Sequence, residues 1–447
     1  MPSKLTAVKT ADIIHKNSGR SFLAVFLDIA RSYFEYGSSF ENYLDFNFEA
    51  SESGKRREYV TKQINTNYIR RNNKIRTLNR KDFLEKYSPG FDYAFTLNCD
   101  DFLSKHESFI ALSLDGSVKA LINQDSYVSK ESLLNDLKER SLTILEEKIE
   151  QNRNFVSLSS AYTKIRIYMA KNNEEVSIID TSLITGTNDK YICHIDNGII
   201  TKPAIGKDHN SYKKNPDTNT MFTGIKIPMY KEIQNRALEL MKQEENGYVS
   251  YDFIVSGDVF YLYDVSYSPD ICIMQNRYFE TEPLRSRMDS ILSSKRNQYT
   301  SLIKTLFVLC LDIFISVLFN LPFVFMAEFI LFYLFIYRSI DTRKLYKTCM
   351  LSFGLSALVM VMLNVILPLC LNTEIFKSDI FVLTLIYLIY ISLVYALLSI
   401  LIGIVLYYLV YPFLNGIIEN LGRNKQLAVL SVTIALTVVS VILILRG

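Results

Sequence analysis

Two aspartates and a serine hold the clearest chemical potential in this chain. They lie in Tyr251-Asp252-Phe253-Ile254-Val255-Ser256-Gly257-Asp258-Val259-Phe260-Tyr261-Leu262-Tyr263-Asp264-Val265-Ser266. β-Branched and aromatic runs on both sides of Ser256-Gly257-Asp258 predict a hairpin. Strand side chains alternate between faces, so Asp264 and Ser266 share one face. A three-residue loop brings Asp252 to that same face, whereas a two-residue loop puts it on the other. Two carboxylates and a hydroxyl in one cleft suit Mg²⁺ carrying nucleotide phosphates, because hard cations take oxygen ligands. The alternative is a hairpin with solvated polar residues on its outer face.

Other chemistry is sparse. The chain has 447 residues, 4 of them histidine. His194, near Asp196, and His209 read as structural or solvated. The 6 cysteines, Cys99, Cys193, Cys272, Cys310, Cys349 and Cys370, include no CxxC pair. That argues against a disulfide framework and a zinc site. No Ser/His/Asp or Cys/His signature is visible. Lys plus Arg is 49 and Asp plus Glu is 46, a formal net charge of +3. That balance gives no case for nucleic acid as a partner.

The elements that must position the acids read as α+β. Phe22–Tyr36 has helical spacing and ends at Gly37. Glu58–Leu78 reads as a basic helix. Asp82–Lys86 and Asp100–His106 read as short turns or helices. Phe109–Leu114 and Val118–Ile122 read as strands around Asp115-Gly116, and Lys130–Arg140 as a helix. Leu142–Ile149, Ile165–Met169 and Val176–Ser182 read as strands. Tyr230–Gln243 is a helix before the hairpin. Antiparallel sheets with flanking helices are the expected fold.

Composition changes near Tyr299. Beyond it lie four apolar blocks, Leu302–Tyr337, Met350–Leu371, Ile380–Tyr411 and Leu427–Leu445. A membrane span needs about 20 residues, so the second and fourth blocks fit one span each. The first is broken at Asn320-Leu321-Pro322 and reads as a tight hairpin of two spans. Lys295, Arg296 and Lys304, then Arg338, Arg343, Lys344 and Lys347, then Arg423 and Lys425 flank the blocks. Placing all three basic segments in the cytosol obeys the positive-inside tendency and gives about five spans. Asp312 and Glu328 then lie at similar depth, where ionisable groups are costly and often functional. Their alternative role is to share a proton and hold two helices together. No apolar segment follows Met1-Pro2-Ser3-Lys4, so no signal peptide is expected. The organisation expected is a helical region 1–80, an α+β domain 81–298, and an all-α transmembrane domain 299–447 at the cytoplasmic membrane.

From about Phe22 to Tyr278 the chain resembles the sugar-transfer-associated ATP-grasp proteins, related to amino-acid ligases. The resemblance rests on segments in a shared order. They are Tyr36-Gly37, Asn42-Tyr43-Leu44-Asp45-Phe46, Arg56-Arg57-Glu58-Tyr59-Val60-Thr61 and Asn79-Arg80-Lys81-Asp82-Phe83. Then follow Leu145–Asn152, Thr163-Lys164-Ile165-Arg166-Ile167, Asp196-Asn197-Gly198-Ile199, Asn215-Pro216-Asp217-Thr218, Phe222-Thr223-Gly224, Ile227-Pro228, and the hairpin through Pro269-Asp270. The resemblance implies ATP and Mg²⁺ as cofactors. It implies Asp252, Asp264 and Ser266 as metal ligands, and Glu146 and Glu147 at a hinge holding adenine and ribose. Arg166 would face phosphates or an acyl-phosphate as the catalytic cation. Arg80 stands where the family has a nucleotide-contacting lysine.

Several positions depart from the family pattern. Asp264-Val265-Ser266 stands where the family has Glu-x-Asn. The strand lysine and glycine-rich flap are replaced by Ala111-Leu112-Ser113-Leu114-Asp115-Gly116-Ser117, leaving Lys119 to substitute from the next strand. The hinge histidine is Asn152, and the family's Trp before the first metal aspartate is Tyr251.

Three readings follow. The first is a membrane-tethered ATP-dependent carboxylate–amine ligase in cell-surface polysaccharide assembly, a setting implied by the resemblance alone. The second is a degenerate ATP-grasp shell that scaffolds a glycan-assembly complex. The third is a transporter subunit with a regulatory soluble part. The basic segment Lys55–Lys81 reads either as a solvated face or as a docking site for anionic headgroups or a lipid-linked sugar donor.

Overall fold

The computed structural model describes residues 6–87, 89–172, 175–187, 190–292, 300–318, 330, 333, 381–420 and 423–446. The chain divides into two compact units. One is Lys62–Ser294. The other joins Ser3–Thr61 to Lys295–Gly447. The division therefore differs from the expected 1–80, 81–298 and 299–447, because the N-terminal helices up to Thr61 cluster with the C-terminal ones.

The Lys62–Ser294 unit is built on two antiparallel sheets. The smaller has the order β1-β4-β2-β3, from β1 (Tyr93–Phe95), β2 (Ser108–Leu112), β3 (Lys119–Asn123) and β4 (Ile144–Glu147). Strand β2 shows the period of two plainly. Phe109 and Ala111 face the helices Asp100–Lys105 and Lys130–Glu139, while Ile110 and Leu112 enter the main core. The larger sheet runs β10-β9-β7-β6-β5-β11-β12. Its strands are β5 (Lys164–Asn172), β6 (Glu175–Thr185), β7 (Tyr191–Asp196), β8 (Ile199–Ile200, paired with β7), β9 (Ala204–Gly206), β10 (Ser211–Tyr212), β11 (Tyr248–Ser256) and β12 (Val259–Ser266). Ile165, Ile167 and Met169 of β5 point into the core, where Ile233, Ala237, Leu240 and Met241 of the Tyr230–Gln243 helix also lie. The expected α+β fold with antiparallel sheets is present.

The expected Glu58–Leu78 helix is broken. Helix covers Ser53–Arg56 and Lys62–Asn72, and the next one begins at Arg80. The break has a hydrogen-bonding cause. Asn73 turns its side-chain amide into the hairpin. Its Oδ1 accepts from the Tyr248 amide at 2.9 Å, and its Nδ2 donates to the Tyr248 and Tyr267 carbonyls at 2.6 and 2.7 Å. In return, Asn246 Oδ1 accepts from the amides of Lys74 and Ile75 at 2.9 and 3.3 Å. Replacing Asn73 by Ala strands buried backbone groups, each costing about 1–3 kcal/mol. Chemical denaturation of the variant should register a loss of at least that size; an unchanged midpoint would show that water replaces the amide.

In the other unit, Phe22–Tyr36 is helical to the residue, capped by Ser21 and ended by Gly37 at φ 64°. Its inward face carries charge. Arg56, fully buried, places both terminal nitrogens on Asp28 at 2.9 and 3.0 Å. Ser32 accepts from Arg56 at 3.0 Å, and Tyr43 donates its hydroxyl to Asp28 at 2.5 Å. Arg31 and Arg57 both reach Glu35, at 3.0 and 2.9 Å. Within Lys55–Lys81, four cations, Arg56, Arg57, Lys62 and Arg80, hold carboxylates.

The C-terminal part contributes helices Thr300–Leu318, Phe381–Val405, Tyr411–Asn420 and Arg423–Arg446. The second and third are joined by a wider π-helical turn, Leu406–Val410. That turn ends two residues before Pro412, whose ring and missing N–H disturb an ordinary α-helix. Tyr411 donates to Asp312 at 2.9 Å, and both are buried. Glu328, the Asn320–Pro322 break and the Met350–Leu371 block lie outside the described residues. Among the described residues, no helix is long and apolar enough to cross a membrane.

Candidate functional site

The hairpin loop has two residues, not three. Ser256 pairs with Val259, and Gly257 at φ 55° supplies the left-handed conformation that the turn needs. By loop length alone Asp252 would oppose Tyr263. A β-bulge between Asp252 and Phe253 corrects this: Phe253 pairs with Leu262, Tyr263 is skipped, and Asp252 faces Asp264. Ser250 likewise faces Ser266. The expected grouping is present, produced by a bulge instead of the loop.

The register continues across the sheet. Asp252 lies beside Arg166 on β5, Arg166 beside Ser182 on β6, and Ser182 beside His194 on β7. Arg166 grips Asp252 with both arms, Nε to Oδ1 at 2.7 Å and Nη2 to Oδ2 at 2.8 Å. Asp252 is 2% exposed, so this fork is its main environment. Burial opposes the charge on Arg166, but Asp252 overrides it and holds the guanidinium pKa well above its usual value.

Asp264 differs. Its side chain is open to solvent, yet its pKa is raised, first by the protein packed around it and then by the Asp252 carboxylate opposite. Arg80 and Lys164 pull it down less strongly. Ser266 is half-buried, and its Oγ accepts from the Ser268 amide at 3.2 Å. Among the described residues, no three His, Cys, Asp or Glu side chains group closely enough to cage a metal by themselves. A pair of carboxylates is still the usual protein share of a Mg²⁺ site, which keeps waters and substrate phosphates as its other ligands.

Both hinge acids have partners within the protein. Glu146 is buried and accepts both Nε and Nη2 of Arg80, the latter at 2.9 Å. Arg80 also donates to the Tyr263 carbonyl, which ties β4 to β12. Glu147 accepts from the Asp92 amide at 3.0 Å. The hinge amide of Ile149 donates to the Tyr162 hydroxyl at 2.9 Å. In the β2–β3 loop, Asp115 accepts from the Ser117 amide and Ser113 from the Val118 amide, so the loop holds its own donors. Removing Glu146 leaves Arg80 buried and unpaired, which costs about 3–5 kcal/mol. Glu146→Ala should therefore unfold at markedly lower denaturant, whereas a role confined to nucleotide contact predicts unchanged unfolding.

Lys119 donates to the Tyr263 hydroxyl at 2.8 Å. Lys164, two residues before Arg166 on the same face of β5, also reaches this area, with its amine 5.7 Å from the Tyr263 ring centre. Reasoning from the sequence gave Lys164 no role. The signal was its strand parity with Arg166.

No family model matches the chain, and no curated protein matches it. Solved structures give loose overlaps. An ATP-grasp ligase, PsnB, complexed with a minimal precursor is 10% identical, covering 52% of this chain and 61% of that one, with a TM-score of 0.30. N5-carboxyaminoimidazole synthetase from Staphylococcus aureus complexed with ADP is 11% identical over 41% of this chain and 40% of its own, at 0.27. D-Alanine-D-alanine ligase from Helicobacter pylori is 12% identical over 48% and 59%, at 0.29. The chain thus spans between 40% and 61% of the length of these proteins, and overlaps this loose fix no residue correspondence.

Proposed function

We propose that the Lys62–Ser294 unit is a Mg-ATP-dependent carboxylate–amine ligase of the ATP-grasp type, tethered to the cytoplasmic membrane and serving cell-surface glycan modification. The observation that carries the reading is the register: Asp264, a solvent-open carboxylate, lies directly opposite Asp252, which Arg166 grips with both arms. The ordered segments of the family resemblance and the two antiparallel sheets tied together by Arg80 support it.

Asp264 and Ser266 would hold the ion, with Asp252 shared between it and Arg166. Bound Mg²⁺ would supply charge screening for the transferred phosphoryl group. The protein's own part is positioning. Arg166 fixes Asp252, Arg80 fixes β4 against β12, and Lys119 and Lys164 bring positive charge to the cleft. A substrate carboxylate attacking the γ-phosphate with ADP leaving, then an amine attacking the acyl-phosphate carbonyl with inorganic phosphate leaving, needs alignment and electrostatic stabilisation and no nucleophilic side chain. Tethering rests on the apolar blocks read from the sequence beyond Tyr299. The glycan setting rests on the resemblance alone.

A second reading, a nucleotide-poor scaffold, is favoured by one specific observation: Glu146 is taken up by Arg80. Thermal melting of the full chain in detergent decides between them. A saturable stabilisation by ATP that requires Mg²⁺ supports the ligase. No shift at millimolar Mg-ATP overturns it and leaves the scaffold.

A further inference from the structure

Tyr263 is a surplus residue. It is the one the bulge skips, and a chain lacking it would still set Asp264 opposite Asp252 in a regular ladder. Its side chain is 9% exposed and collects cations. The Arg80 guanidinium carbon lies 4.9 Å from the ring centre, the Lys119 amine 5.5 Å and the Lys164 amine 5.7 Å. These separations fall within cation–π range. The hydroxyl accepts from Lys119 at 2.8 Å, and the Tyr162 ring packs edge-on at 5.4 Å, itself 5.1 Å from the Lys119 amine. The three cations come from three different elements: the Arg80–Tyr87 helix, β3 and β5. Two of them, Arg80 and Lys164, also act electrostatically on Asp264.

Glu146 neutralises Arg80, while Lys119 and Lys164 approach the same ring from β3 and β5, beside an acid pair suited to a divalent ion. We infer that Tyr263, anchored against Arg80, is a positioning residue that sets Lys119 and Lys164 side by side for the phosphate chain of a nucleoside triphosphate. In this arrangement Lys119, delivered from β3 by the Tyr263 hydroxyl, takes the place of a lysine on β2. The inference deepens the ligase reading and rests on it.

The test is calorimetric titration of the full chain in detergent with Mg-ATP and, separately, with inorganic tripolyphosphate. Tyr263→Phe keeps the ring and removes the hydroxyl; it should weaken both ligands about fivefold, the loss of one charged hydrogen bond acting through Lys119. Tyr263→Leu removes the π face as well and should cost roughly 30-fold, from several cation–π contacts of modest size. In a Lys119→Met background, Tyr263→Phe should have no further effect. A purely structural role would not show this dependence. The melting midpoint without ligand identifies a misfolded Tyr263→Leu protein, in which case the Tyr263→Phe and Lys119→Met cycle decides. Binding by both Tyr263 variants at wild-type strength, or equal Tyr263→Phe losses with and without Lys119, overturns the inference while leaving the ligase reading intact. A wild-type protein that binds neither ligand overturns both.

Discussion

Asp264→Ala is expected to weaken Mg-dependent ATP binding by about 100-fold or more, since even groups that only support a metal ligand cost about 10–100-fold when removed. ATP binding measured without Mg²⁺ should barely change, because the lost carboxylate acts through the ion. The pH dependence follows from the raised Asp264 pKa. The ion needs the ionised acid, so affinity should fall as pH drops through that elevated value. The sign for stability is opposite. Between the unfolded and folded pKa values the native state binds more protons than the unfolded one, so the unliganded protein should lose stability as pH rises through that window. Mg²⁺ should reverse the trend. Calorimetry and melting across acidic to neutral pH, with and without Mg²⁺, read both. An Asp264→Ala protein that binds Mg-ATP as the wild type does would refute the metal assignment.

Asp28→Ala should destabilise the unit containing the N-terminal helices by about 3–5 kcal/mol, because Arg56 is left buried without its carboxylate. Replacing both partners, Asp28→Leu with Arg56→Met, should recover much of that loss, since a matched apolar pair avoids the desolvation of two ions. Burial works to raise the Asp28 pKa, but Arg56, the Tyr43 hydroxyl and Arg31 outweigh it and hold the carboxyl below its usual value. The sign is that of a depressed acid. Its stabilisation is present above the unfolded pKa and lost as pH falls through the lower folded one. Denaturant unfolding at neutral and at strongly acidic pH should show the gap between wild type and Asp28→Ala closing in acid. A constant gap would mean that shape, not charge, sets the cost.

What the sequence revealed was local. Phe22–Tyr36 and Tyr230–Gln243 could be read to the residue, because apolar spacing and, for the first, Ser21 and Gly37 are short-range signals. The Phe109–Leu114 run could be read as a strand for the same reason. The long-range pairings could not. Arg56 finds Asp28 across 28 residues and Arg80 finds Glu146 across 66, and nothing in either segment announces the other. Glu58–Leu78 looks helical by composition, but the exchange between Asn73 and Asn246 ends the helix, a tertiary bond overruling propensity. The face shared by Asp252 and Asp264 was legible as a possibility tied to loop length. The loop came out short and the bulge restored the pairing, a detail of backbone register that side-chain types do not encode.

The π-helical turn at Leu406–Val410 has a mechanical consequence. It feeds one additional residue into the winding, so everything after it is rotated by about 100° relative to an uninterrupted α-helix. The Phe381–Val405 segment and the Tyr411–Asn420 segment therefore address different neighbours along one rod. Upstream, the rod leaves aliphatic and tyrosine side chains unburied; downstream, the offset turns Tyr411 onto Asp312 and Asn415 toward Tyr333. Excising a single residue from that turn would restore the phase and swing the Tyr411 hydroxyl away from Asp312 and Asn415 away from Tyr333.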